Sequence, residues 1–242
     1  MIVDDLLAEA GPKLAGRTIA DVRIGLGYTA VLLDDDGCGL AGTIAEGSHE
    51  CCTRLAQAGS LIGAPAAEIA RYALSSEPVA ASLGMATINA ALNREGEPGP
   101  SPLDALPIDG ATVGMVGYFE PFLSELKRRA KALHVFERRS LAPEVLPDWA
   151  VERLLPTCEI VLITSLTLVN NTLDHLLQLT QGEVALIGPT TPLSQVFAGY
   201  GVSHLFATVV VQPKRVLATV SQAGGTQRFK DAVKKVYWRL KK

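Results

Sequence analysis

A chain of 242 residues with 48% hydrophobic and 19% charged side chains has the apolar material for one large or two small cores, which argues against a disordered chain. Its formal net charge of −3 argues against a general nucleic-acid binder, and only the carboxyl-terminal segment, with Lys230, Lys234, Lys235, Arg239, Lys241 and Lys242, is strongly basic. No apolar run approaches a membrane span and no secretory leader pattern opens the chain, so the expectation is a cytoplasmic protein without membrane insertion.

The first element is a helix on which Val3, Leu6, Leu7, Ala10 and Leu14 recur at helical spacing, followed by β-patterned stretches at 18–26 and 30–33. Asp34, Asp35, Asp36 and Gly37 read as the turn of a hairpin; an aspartate triplet could also hold a hard cation. Two helices are expected at 66–74 and 79–92, the second carrying Asn89 on an otherwise apolar surface. Residues 94–107 contain four prolines and two glycines and read as a linker, which divides the chain into an α+β domain at 1–106 and a second domain at 107–242.

Beyond the linker, strands are expected at 111–116, 133–136, 160–163, 184–187, 205–211 and 216–220, with helices after the first, third and fourth. That alternation predicts a doubly wound parallel sheet. The first of its helices begins near Glu120 and Pro121 and presents Phe122, Leu126, Ala130 and Leu133 as a stripe. A last helix from about Thr226 is expected to bury Phe229, Val233, Val236 and Leu240, with its lysines solvated on the other face.

The most informative segment is VLITSLTLVNNTL at 161–173, where a buried strand runs into Thr164, Ser165, Thr167, Asn170, Asn171 and Thr172. Short donors and acceptors beyond the carboxyl end of a parallel strand are the composition of a ligand crevice in an open α/β sheet. One of the two asparagines is expected to cap the next helix and the other to face the crevice. A second junction follows the fourth strand at Gly188, Pro189, Thr190 and Thr191, where the hydroxyls either cap a helix or reach the crevice.

The stretch TVGMVGYF at 112–119 places Gly114 and Gly117 at the end of the first strand, and Glu137 lies twenty residues beyond Gly117, where an acid can accept bonds from a ribose or another polyol. The dinucleotide fingerprint GxGxxG is absent, and Tyr118 and Phe119 stand where a phosphate turn needs room. Candidate acids and bases are few: His134, His175 and His204 have no recognisable nucleophile partner, and no nucleophile elbow, P-loop or zinc-hydrolase motif occurs. The cysteines Cys38, Cys51, Cys52 and Cys158 lack the spacing of a zinc ribbon or a disulfide scaffold, and His49, Glu50, Cys51 and Cys52 lack the intervening turn that lets ligands converge on one ion. No metal ligand is assigned.

Taken together, GMVGYFEPFLSELK, VFE at 135–137, ITSLTLVNNTLDHLL and LIGPTTPL resemble the bacterial and archaeal family labelled putative heavy-metal chelation, and the first region resembles its amino-terminal domain in GYTAVLL and SLGMATINAALN. The resemblance implies an enolase-amino-terminal-like domain packed on a Rossmann-like domain, with a site between them and no settled reaction. Carried over by position, it points to Gly117, Tyr118, Glu137, Thr164, Ser165, Asn170, Asn171, Thr172, Gly188, Pro189 and Thr190, with Tyr28 and Asn89 from the first domain. Ser165 and Leu166 replace a glycine-containing turn, so the crevice is expected to be narrower, and Thr190 replaces a serine, which keeps the hydroxyl and adds a methyl group. The leading expectation is a protein that binds or processes a small polar metal-chelating molecule, aromatic or not, seated where both domains meet. The rival expectation is a transferase or oxidoreductase with a nucleotide-type cofactor held by Glu137, and the sequence distinguishes neither the ligand nor a monomer from a homo-oligomer.

Overall fold

The computed structural model describes residues 1–45, 55–138 and 142–241. The run His49, Glu50, Cys51 and Cys52 lies outside the described residues.

Helix α1 (Ile2–Leu14) buries Ile2, Val3, Leu6, Ala10 and Leu14, the stripe its spacing dictates, with Asp4 and Asp5 at its positive end and Lys13 at its negative end. A three-stranded antiparallel meander follows: β1 (Ile19–Ile24), β2 (Tyr28–Leu33) and β3 (Cys38–Gly42). Its second turn is the aspartate triplet. Asp36 takes φ 65°, Leu33 N–H donates to Gly37 O at 2.8 Å, and the Arg94 guanidinium holds both oxygens of Asp35 at 2.8 and 2.9 Å. Arg17 adds a contact to Asp35 at 3.2 Å, so this carboxylate is engaged by arginines.

Helix α2 (Ala66–Ala70) runs on through a 3-10 turn, and α3 (Pro78–Leu92) follows, with Pro78 in its first turn and Glu77 accepting from Ala80 N–H. α3 is buried from Val79 to Leu92 because β2 and β3 cover one side and α1 and α2 the other. Glycine permits that closeness: a Cβ at Gly39 of β3 would lie 2.1 Å from Ala86 O, and one at Gly84 would lie 1.9 Å from Ala73 N.

The linker segment contains a short turn of helix, α4 (Pro102–Ala105), and runs beside the second sheet, where Pro98 bridges Val236. Then come β4 (Thr112–Val116), α5 (Glu120–Arg129), β5 (Ala132–Phe136), β6 (Val145–Leu146), α6 (Val151–Leu154), β7 (Ile160–Thr164), α7 (Leu166–Val169), α8 (Leu173–Leu179), β8 (Glu183–Ile187), β9 (Val202–Val210), α9 (Pro213–Ser221), α10 (Thr226–Phe229) and β10 (Val233–Arg239). The seven strands stand in the order β10-β9-β8-β7-β4-β5-β6, parallel except for β10. The fold is thus a Rossmann-like, mostly parallel sheet flanked by helices beside a smaller α+β unit of the enolase-amino-terminal-like type. Among the described residues no helix is long and apolar enough to cross a membrane.

Four expectations are corrected. Residues 216–220 are helix rather than strand: Pro213 opens α9, and Val216, Leu217 and Val220 are buried against Ala30 and Leu40 of the first sheet. The carboxyl terminus is strand rather than helix, pairing from Val233 opposite Val210 to Arg239 opposite His204, since a ladder beside β9 suits Val, Tyr and Trp. The connection after β8 is only a 3-10 turn, Gln195–Tyr200. The α5 stripe is shorter than expected, because the helix ends at Arg129 and buries Leu123 and Leu126, while Leu133 belongs to β5.

Candidate functional site

The chain order of the strands defines one special position. From β4 it moves outward to β5 and β6, then returns to place β7 on the other side of β4, so connections leave β4 and β7 in opposite directions. Helices that diverge in this way open a crevice at the carboxyl ends of the two strands. Gly117 follows β4 and Thr164 ends β7; Gly117 takes φ +95°, and a Cβ there would lie 2.8 Å from Thr164 Cγ2. The floor therefore closes only with glycine at 117.

A cavity of about 840 Å³ occupies this crevice, within the range of small-molecule sites. Its floor includes Val116, Gly117, Phe136, Glu137 and Thr164. The first unit contributes Leu26 and Gly27 from the β1–β2 tip, Thr43 and Ile44 beyond β3, and Pro78 from the start of α3. Asn170, Thr172 and His175 line it, as do Arg138, Asp148, Trp149 and Glu152.

Local chemistry fixes these groups. Thr167 Oγ1 donates to Thr164 O at 2.6 Å, which tightens the exit of β7. Asn170 Oδ1 accepts from Thr172 N at 3.3 Å and from its hydroxyl at 2.7 Å, an Asx turn that starts α8 and leaves the rest of the amide on the cavity wall. Asn171 takes φ +56°, a left-handed conformation that asparagine tolerates, and its side chain is exposed. The structural and the cavity-facing roles thus fall on the same residue, Asn170. His175 Nε2 lies 2.7 Å from Glu152 Oε1, Arg138 Nε lies 3.4 Å from Asp148 Oδ2, and Trp149 is 66% exposed.

Of the residues expected at the site, Gly117, Glu137, Thr164, Asn170 and Thr172 line this cavity. The others lie elsewhere. Tyr118 packs at the margin of the core around β4 and α5, and Tyr28 meets Phe229 edge-on at 5.6 Å, where burial raises its phenol above the ordinary value. Ser165 is buried, and a Cβ at Gly188 would lie 2.7 Å from its Oγ. Pro189, Thr190 and Asn89 form a clasp between the two units: Asn89 Nδ2 donates to Leu40 O at 2.7 Å, Thr190 O at 3.0 Å and Pro189 O at 3.4 Å. Gly42 N–H donates to Thr190 Oγ1 at 2.8 Å. One turn along α3, Asn93 Nδ2 donates to Thr191 O at 2.9 Å and Thr208 O at 3.2 Å, while its Oδ1 accepts from Leu193 N at 2.7 Å.

Among the charged and aromatic residues of the cavity, sequence reasoning missed Arg138, Asp148, Trp149 and Glu152 and named His175 only as a candidate acid or base. The available signal was Trp149 followed three residues later by an acid, in a stretch without strong strand or helix periodicity. The other two histidines among the described residues do different work: His204 is buried between Glu183 at 2.6 Å and Tyr237 at 2.9 Å, and His134 lies beside Phe136. Cys38 and Cys158 are buried, and burial pushes their thiols up to about 12 and about 11. Among the described residues no group of three or more His, Cys, Asp or Glu is clustered to hold a metal ion.

Two family models, both described as putative heavy-metal chelation, match residues 7–92 and 101–239. An uncharacterized protein of Methanocaldococcus jannaschii is 30% identical over 253 residues, covering 97% of this chain and 96% of the relative. Two crystal structures of DUF364-family proteins of unknown function share the fold. The one from Pyrococcus horikoshii has a TM-score of 0.86 at 22% identity over 99% of this chain and 100% of the other, and the one from Desulfitobacterium hafniense has 0.80 at 24% over 98% of both. The chain therefore belongs to the family described as putative heavy-metal chelation.

Proposed function

We propose that the cleft between the two units binds or processes a small, polar metal-chelating molecule, aromatic or not, in the service of heavy-metal or transition-metal handling in the cytoplasm. The observation that carries this reading is the cavity at the switch point between β4 and β7, to which both units contribute and whose wall presents an exposed Trp149. An aromatic face with a few oriented hydroxyl, amide and charged groups is the composition of a small-molecule pocket. The same reading divides the chain at the linker, into 1–106 and 107–242, with the ligand seated where the two domains meet. The family description supplies the link to metals.

A nucleotide-type cofactor finds less support. Gly117 N–H, the amide that would meet a phosphate, already donates to Phe136 O at 2.8 Å, and α5 starts with the acid Glu120 behind Phe119 and Phe122, whose rings stack at 5.7 Å. Calorimetry with Zn²⁺ alone, with 8-hydroxyquinoline-5-sulfonate alone and with both discriminates: the expectation is binding of the chelator or its complex, abolished by Asn170→Ala at a stability cost of about 1–2 kcal/mol. Tight binding of the free ion by the protein alone, or an Asn170→Ala protein that binds like wild type, refutes the reading.

A further inference from the structure

One pair of side chains in the cleft is arranged for proton exchange rather than for shape. His175 on α8 and Glu152 on α6 come together at 2.7 Å, and both line the cavity. With the carboxylate accepting from Nε2–H, the neutral imidazole is held in the tautomer that presents the Nδ1 lone pair as a proton acceptor. Trp149, three residues before Glu152, also lines the cavity and is 66% exposed.

The remaining charges are arranged otherwise. Glu137, Arg138 and Asp148 line the same cavity, with Arg138 facing Asp148 at 3.4 Å and its backbone N–H donating to Glu137 Oε1 at 2.9 Å. Asp174, beside His175 on α8, accepts from Ile2 N–H at 3.2 Å. Glu152 is therefore the carboxylate that holds the imidazole.

A chelator must shed a proton from its hydroxyl or ring N–H before that atom can bind a metal. Resting on the reading of the cleft as a chelator site, we propose that His175 accepts this proton as a divalent metal ion enters the ligand, with Glu152 as positioning residue and Trp149 as the face on which the ligand lies. The ligand O–H bond breaks and an Nδ1–H bond forms. The electron pair stays on the ligand oxygen and is donated to the metal, Glu152 balances the imidazolium, and no electron changes hands. The proton returns to water when the complex leaves.

The test counts protons. Titration of Zn²⁺ into protein preloaded with 8-hydroxyquinoline-5-sulfonate, near pH 7 in buffers of different ionisation enthalpy, gives the number released per complex. Wild type should release fewer protons per complex than the same probe without protein. His175→Gln should restore the full release while still binding the probe, and Glu152→Gln should move the pH profile of release toward that of His175→Gln. Trp149→Ala should weaken probe binding about tenfold, the scale of one aromatic contact, and Trp149→Phe should retain most of it. Equal proton release from wild type and His175→Gln overturns the proposal, as does full binding by Trp149→Ala. Citrate, a non-planar chelator, separates the two levels: a protein that binds citrate through Asn170 but not the quinoline keeps its cleft and loses this proposal, whereas one that binds neither loses both.

Discussion

The strands β7 and β8 are neighbours, and both leave the sheet through threonines on the side facing the first unit, yet their exits have opposite fates. Beyond β8, Thr190, Thr191 and Ser194 are fully buried, and Asn89 of α3 and Asn93 at its C-terminal cap hold the loop's carbonyls and the Leu193 amide. Beyond β7, Thr164, Asn170 and Thr172 are only partly covered and line a cavity. The same residue types thus serve as cement at one exit and as the lining of an open cavity at the other. What decides is whether a side chain from the first unit arrives to satisfy the polar groups: Asn89 of α3 and Asn93 just past its end reach β8's exit, while at β7's exit the first unit contributes Leu26 and Gly27 of a hairpin tip, Thr43, Ile44 and Pro78 to the cavity lining.

Breaking the sealed exit should have the largest effect. Asn93→Ala removes three hydrogen bonds and leaves Thr191 O, Thr208 O and Leu193 N–H without that partner in a buried seam. The expected loss is about 3–5 kcal/mol in urea unfolding, with ligand binding per folded molecule unchanged. A loss below about 1 kcal/mol together with abolished binding would reverse the assignment and make the seam the site.

A smaller effect is expected at the floor of the open exit. Gly117→Ala places a Cβ 2.8 Å from Thr164 Cγ2 on a backbone at φ +95°. The cost should be about 2 kcal/mol, from left-handed strain and the contact together, and the displaced Thr164 should weaken binding at the cleft. Thr164→Ser removes the offending methyl, so the double variant should recover part of the loss and the two changes should be non-additive. Strict additivity would mean that the two residues do not meet.

The sequence made one exit more legible than the other. A buried strand followed by hydroxyls and amides is a local pattern: Gly117, Glu137 and Thr164 sit at or just beyond the carboxyl end of a strand, and Asn170 and Thr172 follow β7 after the single turn of α7. LIGPTTPL has the same local pattern, and nothing within it reveals that Asn89 and Asn93, about a hundred residues earlier, fill its hydrogen bonds. Glu152 and His175 fail for the same reason in reverse, since 23 residues separate the partners and only the packing of α6 on α8 unites them. The fold shows this limit at its carboxyl end. Val216, Leu217 and Val220 suit strand or helix until Pro213 and the face of the first sheet decide, and the pairing of β10 with β9 overrides a helical spacing of Val233, Val236 and Leu240.

The smallest effect tests how completely the first unit's packed core excludes water. Cys38 begins β3, away from the cleft, and burial pushes its thiol from an ordinary 9.0 up to about 12. Between those values the unfolded chain has lost the thiol proton and the native chain has kept it. The native state therefore binds more protons, and stability must fall as pH rises through that window. Cys38→Ala lacks the thiol, costs about 1 kcal/mol at neutral pH through lost packing, and should close the gap to wild type as unfolding is measured from about pH 8 to about pH 10.5. Thiol labelling of the native protein at about pH 8 should leave Cys38 and Cys158 unmodified, because neither is ionised or reachable there. A gap between wild type and Cys38→Ala that stays constant with pH would mean that water reaches β3, and the contrast between a sealed and an open side of the first unit would fail.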